Sequence, residues 1–252
     1  TEARCGVLKR PLDPARPQGV QFDLHVAVLP ALARNKLPDP VFFFAGGPGQ
    51  SAVALAGRVS GLMGRFLTRR DVVLIDQRGT GQSAPLQCDD STSALRPLRE
   101  QIDPVRETAR LKACLARLQK LPYGDLRMFT TTLAMADAEA VRQALGLGPV
   151  NVIGGSYGTR AALEYLRAYP ASVRRAVIDG VAPPDMVLMR AMSADNQAAL
   201  DGVIGDCETS PACSKTYPQL RQRWQAMLTS LPREAVVTHP LTGASETVMF
   251  SR

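Results

Sequence analysis

The chain has 252 residues, 45% of them apolar, and 30 basic against 23 acidic residues give it a net charge of +7. Such a length and apolar share support one large core, or one core with a smaller appendage, and exclude a low-complexity chain. The basic residues are scattered from Arg4 to Arg252, with no run longer than the pairs Arg69-Arg70 and Arg174-Arg175, which argues for a solvated surface and against a nucleic-acid-binding stripe. No run approaches bilayer length, and the opening TEARCGVLKRPLDP has no apolar core of a secretory signal.

In chain order, GVQFDLHVAVLP (19–30) places Phe22, Leu24, Val26 and Val28 at alternate positions. That period of two predicts a half-buried strand with His25 on its opposite face. PVFFFAGGPG and DVVLIDQRG are continuous apolar runs ending in glycine-rich loops, as in strands buried on both faces of a parallel sheet. Residues 103–121 carry apolar positions at mostly helical spacing. TTTLAMADAEAVRQALGLG predicts a second helix, capped by threonine and stopped by glycine. PVNVIGG reads as a strand, TRAALEYLRAYP as a helix that Pro170 helps to end, and VRRAVIDGVAPP as a further strand. Strands alternating with helices predict an α/β fold, a mostly parallel sheet with helices on both faces. From Pro183 the rhythm changes to long helical stretches, with Trp224 on an amphipathic one. EAVVTHPLTGASETVMF then predicts a hairpin with His239 just before its turn. The expected division is 1–182 for the core and 183–252 for a second, incomplete segment.

Gly154-Gly155-Ser156-Tyr157-Gly158 stands between a predicted strand and helix. In that setting Gly-x-Ser-x-Gly is the sign of a nucleophilic serine on a sharp turn, which makes Ser156 the candidate nucleophile. A tetrahedral oxyanion needs two fixed N–H donors, and the backbone N–H groups of Gly47, in FFFAGGPGQS, and of Tyr157 are the natural pair. A phosphate cradle fits less well, because no Lys-Ser/Thr follows the glycines. No cofactor and no metal site is expected, since the five cysteines lack tight Cys-x-x-Cys pairs and accompanying histidines. The preferred reading is two disulfides, Cys207 with Cys213 and Cys88 with Cys114, in an oxidising compartment, with Cys5 left over; buried free thiols of a cytosolic enzyme are the alternative.

AGGPGQS, DVVLIDQRGTGQS, TTTLAMADAEAVRQALG, NVIGGSYGTRAALEYLRAYP, VIDGVAPP and CETSPACSKTYP together resemble the secreted tripeptidyl-aminopeptidase and prolyl-aminopeptidase family of α/β-hydrolases. The resemblance runs from about residue 40 to the final hairpin. It implies a periplasmic or secreted serine exopeptidase that takes residues or short peptides from peptide N-termini through an acyl-enzyme on Ser156, with peptide as substrate. It also implies a structural role for Asp76, Arg78 and Gly79 in the pocket wall, and makes residues 183–252 the start of a helical lid. Ala45 stands where the prolyl branch usually has histidine, which favours the tripeptidyl branch. Acidic lid residues that could meet a substrate amine are Asp201, Asp206 and Glu208.

In this fold the triad follows the order serine, acid, histidine. Only His25 and His239 exist, and only His239 follows Ser156, in a hairpin assigned to the lid. Asp179, at the end of a core strand, is a weaker candidate acid. The expectation is that acid and histidine lie in a C-terminal part of the same protein beyond Arg252. A carboxylesterase on the same scaffold and a non-catalytic binding protein are the competing readings.

Overall fold

The apolar runs VFFF and VVLI do form neighbouring parallel strands, with Val41 opposite Val72 and Phe42 opposite Val73. In the computed structural model, which describes residues 2–88 and 93–251, the strands are β1 (Arg4–Pro11), β2 (Gln21–Leu29), β3 (Val41–Phe44), β4 (Val72–Ile75), β5 (Val150–Gly155), β6 (Val173–Asp179), β7 (Arg233–Thr238) and β8 (Ser245–Phe250). The helices are α1 (Ala56–Leu62), α2 (Gly64–Leu67), α3 (Leu98–Gln101), α4 (Pro104–Leu118), α5 (Thr131–Ala144), α6 (Tyr157–Ala168), α7 (Leu188–Thr209), α8 (Pro211–Thr216) and α9 (Leu220–Thr229). Two units result, one of residues 1–87 with 114–184 and one of 88–113 with 185–252.

In the first unit the described strands form one sheet in the order β1-β2-β4-β3-β5-β6. The four strands from β4 to β6 are parallel, while β1 and β2 join antiparallel. Side chains alternate across each strand, so one sequence feeds two cores. Phe42, Phe44, Val73 and Ile75 pack with Met135 and Ala138 of α5 and with Ala161 and Tyr165 of α6. Val41, Val72, Leu74 and Ile153 pack on the other face with Val59 of α1 and Leu67 of α2. Helices therefore cover both faces, as the alternation of elements predicts.

Strand β2 departs from its expected half-burial. Phe22 and Leu24 join the first core as predicted, but Ala27 and Leu29 are buried in the second. Small and aliphatic residues on the "polar" face let α1 and its flanks cover that end of the strand. The strand β1 had no apolar signature to announce it; backbone pairing from Arg4 opposite Val28 to Pro11 opposite Gln21 holds it at the sheet edge, where charged side chains suit an exposed strand.

The second unit holds α3, α7, α8, α9, the start of α4 and the β7–β8 hairpin. Residues 88–113 belong to it together with the region after Pro183, because α3 packs on β8 and Arg96 lends its carbonyl to His239. The Cys207–Cys213 disulfide ties α7 to α8, and Arg221 of α9 reaches Asp201 and Glu208 of α7. Cys88 and Cys114 are disulfide-bonded as well, and Cys5 is free and exposed. No helix among the described residues is long and apolar enough to cross a membrane.

Candidate active site

Strand β5 is buried through Gly154 and stops at Gly155, and α6 begins at Tyr157. Ser156 alone makes the turn, at φ 54° and ψ −123°. A non-glycine residue in such backbone conformations costs on the order of 1–3 kcal/mol and persists only where its surroundings hold it. Here Ser156 donates its N–H to the Asp179 carbonyl at 2.9 Å. Its own carbonyl accepts from the Thr159 N–H at 2.9 Å and from the Thr159 hydroxyl at 2.6 Å. That hydroxyl oxygen in turn accepts from the Ala182 N–H at 2.8 Å. The Ser156 hydroxyl does not cap α6, and the residue is exposed.

The glycines around it are fixed by close approach. A Cβ on Gly154 would lie 2.2 Å from the Gly158 carbonyl oxygen, and one on Gly158 would lie 2.0 Å from that of Phe44. Any side chain at either place would force β3, β5 and α6 apart.

The loop after β3 lies against Ser156, since a Cβ on Gly46 would be 3.2 Å from Ser156 Cβ and 3.6 Å from its Oγ. Gly47 is the next residue along that loop. Tyr157 is the first residue of α6, so its N–H has no acceptor within the helix and sits at the positive end of the helix dipole. Buried Asp76 holds the Gly46–Val53 loop in place: its Oδ1 accepts from the Ser51 hydroxyl at 2.7 Å and from the Val53 N–H at 3.0 Å, and its Oδ2 from the Gln82 N–H at 3.3 Å. Arg78 makes a two-pronged pair with fully buried Asp137 of α5, at 2.7 and 3.0 Å, and donates to the Leu12 and Met128 carbonyls. These two residues give the DQRG stretch its work: one carboxylate fixes the loop beside Ser156, and one guanidinium fixes α5. The resemblance pointed to this loop, but the partners Ser51, Val53 and Asp137 carry no pattern of their own in the sequence.

Helices α5 and α6, whose N-termini open onto this end of the sheet, are bound to each other by buried polar groups. Glu139 accepts from the Tyr165 hydroxyl at 2.8 Å and from Arg142 at 2.6 and 2.9 Å. Burial pushes the Glu139 carboxyl up, but the hydrogen bonds from Arg142 and Tyr165 outweigh it and hold the group below the usual carboxylate range. Burial is also the main cause that raises the Tyr165 hydroxyl. Glu164 bonds to Arg167 and Thr132, and the Arg167 guanidinium draws its pKa down to about 2.

His239 has both ring nitrogens engaged, and His25 lies far from Ser156 along the sheet. His239 is only 2% exposed; its Nδ1 accepts from the Leu241 and Thr242 N–H groups at 3.1 and 3.2 Å. Its Nε2, 3.0 Å from the Arg96 carbonyl oxygen, is then the donor, which leaves the ring no free lone pair. His25 lies on β2, three strand spacings from β5 in the order β2-β4-β3-β5, or about 14 Å at the usual spacing. A base must come within about 3 Å of the proton it takes. Asp179 meets the elbow through its backbone carbonyl, which accepts from the Ser156 N–H. Asp201 and Glu208 are paired with Arg221, and Asp206 is an exposed residue of α7. Among the described residues, no group of three or more histidine, cysteine or acidic side chains is placed to hold a metal ion.

An antiparallel entry, a parallel centre and a serine turned out of its strand at positive φ define the class. The alpha/beta hydrolase fold family matches residues 39–229, and the chain belongs to that family. Within it, the chain is 31% identical to a tripeptidyl aminopeptidase of Streptomyces lividans over 95% of its own length and 47% of that protein's. It is 30% identical to the serine protease Hip1 of Mycobacterium tuberculosis over 84% of this chain and 42% of that one, and 30% identical to a proline iminopeptidase of Neisseria meningitidis over 57% and 34%. The chain thus spans about half the length, or less, of the curated relatives it matches.

Proposed function

We propose that this chain is the nucleophile-bearing portion of a serine peptidase that releases residues or short peptides from peptide N-termini. The observation that carries the reading is the elbow: an exposed serine whose hydroxyl does not cap the helix, held at positive φ between β5 and α6. Ser156 Oγ attacks the scissile carbonyl, and the N–H groups of Gly47 and Tyr157 receive the oxyanion. Collapse expels the amine and leaves an acyl-enzyme, which water hydrolyses. The named activities of the relatives support peptides as substrates. The disulfides support a periplasmic or secreted setting.

The proton from Ser156 needs an acceptor that neither histidine provides. The acid and histidine come, in this proposal, from the C-terminal polypeptide of the same protein, which pairs along β6. Val177 and Ile178 of β6 are 53% and 38% exposed, on opposite faces of a strand whose outer edge is unpaired among the described residues. Residues 183–252 are assigned to the lid. The same lack of a base favours a second reading, a binding protein without turnover.

In the polypeptide that includes β6's partner strands, Ser156→Ala is expected to lower kcat/KM on aminoacyl and tripeptidyl amides by at least about a thousandfold. Hydrolysis of short acyl esters with no peptide cleavage would replace the peptidase by an esterase, and no turnover of either would leave the binding protein. Residues 1–252 alone are expected to show no appreciable peptidase activity and weak fluorophosphonate labelling, both unchanged by His239→Ala.

A further inference from the structure

Beside Ser156, on the side away from β6, lies a cavity of about 300 Å³. It is walled by the loop after β3, the loop after β4, the start of α5 and Tyr157. These are the ends of parallel strands and the helix starts that follow them, where open α/β sheets bind their ligands. Its polar lining includes Gln50, Thr80, Thr131 and Tyr157, and its apolar lining includes Leu86 and Phe129. The Tyr157 hydroxyl and Thr131 Oγ1 are 2.7 Å apart, which fixes the tyrosine ring as one wall. Arg78 is the one charged residue of the lining, and its charge is spent: four of its five N–H groups go to Asp137 and two backbone carbonyls.

From this geometry we infer that the cavity receives the side chain of the residue whose carbonyl is attacked, and that it selects uncharged side chains; Thr131 is the specificity-determining residue. The inference rests on the peptidase reading above. In that reading the histidine arrives from the β6 side, and since it protonates the leaving amine, the leaving group lies on that side. The acyl residue then extends toward β3 and β4, where the cavity is. A charged side chain entering it would lose water and meet no counter-charge.

The test uses the full-length active protein and tripeptidyl amides that differ only in the residue bearing the scissile carbonyl. Wild type is expected to prefer serine, alanine or leucine there over lysine or aspartate by at least about tenfold in kcat/KM. Thr131→Asp should raise the lysine-to-serine ratio by about tenfold or more, and Thr131→Asn, the same shape without charge, should leave it unchanged. Aspartate in the first turn of a helix is favoured by the dipole, so the variant is suited to folding. Ratios equal in all three proteins, with turnover intact, would overturn the cavity assignment alone, as would a wild type indifferent to charge. Absence of peptide turnover dependent on Ser156 would remove the peptidase reading and this inference with it.

Discussion

Strands β5 and β6 are parallel neighbours with three valine or isoleucine residues each, but β6 also carries Arg174, Arg175 and Asp179. Their fates differ. Val150 to Gly154 are all buried, with helices on both faces, whereas every residue of β6 from Arg174 to Asp179 is exposed. The charges of β6 account for part of the difference, and position in the sheet for the rest. β5 has strands on both sides, so its side chains meet two cores and its glycines meet other backbone. Among the described residues β6 has one strand neighbour; its Val173 packs against the core, and the residues after it are exposed. The first unit is therefore packed tightly where Ser156 sits and open one strand away.

That contrast can be broken most severely at Gly158. A Cβ there meets the Phe44 carbonyl, so Gly158→Ala should cost at least about 3 kcal/mol of stability, read as a lower denaturant midpoint. A shift below about 1 kcal/mol would show that β3 and α6 can move apart and that the close packing at β5 is not required. A smaller effect is expected where α5 meets α6. Glu139→Gln keeps the shape but removes the charge that Arg142 and Tyr165 bond, at a cost of about 1–2 kcal/mol.

The acid limb of stability sharpens the same point. Glu139 and Glu164 both titrate lower when folded than their ordinary value of 4.5, Glu164 at about 2. Their contribution is then complete above about pH 4.5 and is lost as pH falls toward 2. The unfolding midpoint should drop across that window, and Glu139→Gln should flatten the drop. A profile identical to wild type would mean that the pair is not coupled to folding. The smallest effect belongs to β6: Val177→Asp should change the stability of residues 1–252 by no more than about 0.5 kcal/mol. In a polypeptide whose next strand covers β6, the same change should cost about 3 kcal/mol or more. Equal small effects in both would show that nothing packs there.

Much of this was legible before any coordinates. The buried runs at 41–44, 72–75 and 150–155 and the helices at 131–144 and 157–168 follow from periodicity and caps, because a residue's own burial decides them. The sharp turn at Ser156 between β5 and α6 was legible because it needs small residues at fixed offsets. What stayed hidden depends on partners far away in sequence. β1 is held by its pairing with β2 and not by apolar alternation. The second burial face of β2 depends on α1 lying over Ala27 and Leu29. The resemblance singled out Asp76 and Arg78, but the partners that fix them, Ser51, Val53 and Asp137, carry no pattern of their own. The grouping of 88–113 with the later helices rests in part on one carbonyl of Arg96, which no pattern marks.

The stitching at the elbow has a practical consequence for anyone who would cut, fuse or lengthen this chain. The Asp179 carbonyl holds the Ser156 N–H, the Ala182 N–H is held by the same Thr159 hydroxyl that bonds the Ser156 carbonyl, and the Pro183 carbonyl accepts from Arg160, the next residue of α6. Residues 179–183 look like a connecting segment, yet they are part of the mould in which the serine is set. An insertion there would disturb three hydrogen bonds at the start of α6, while a graft along the outer edge of β6 would leave all three in place.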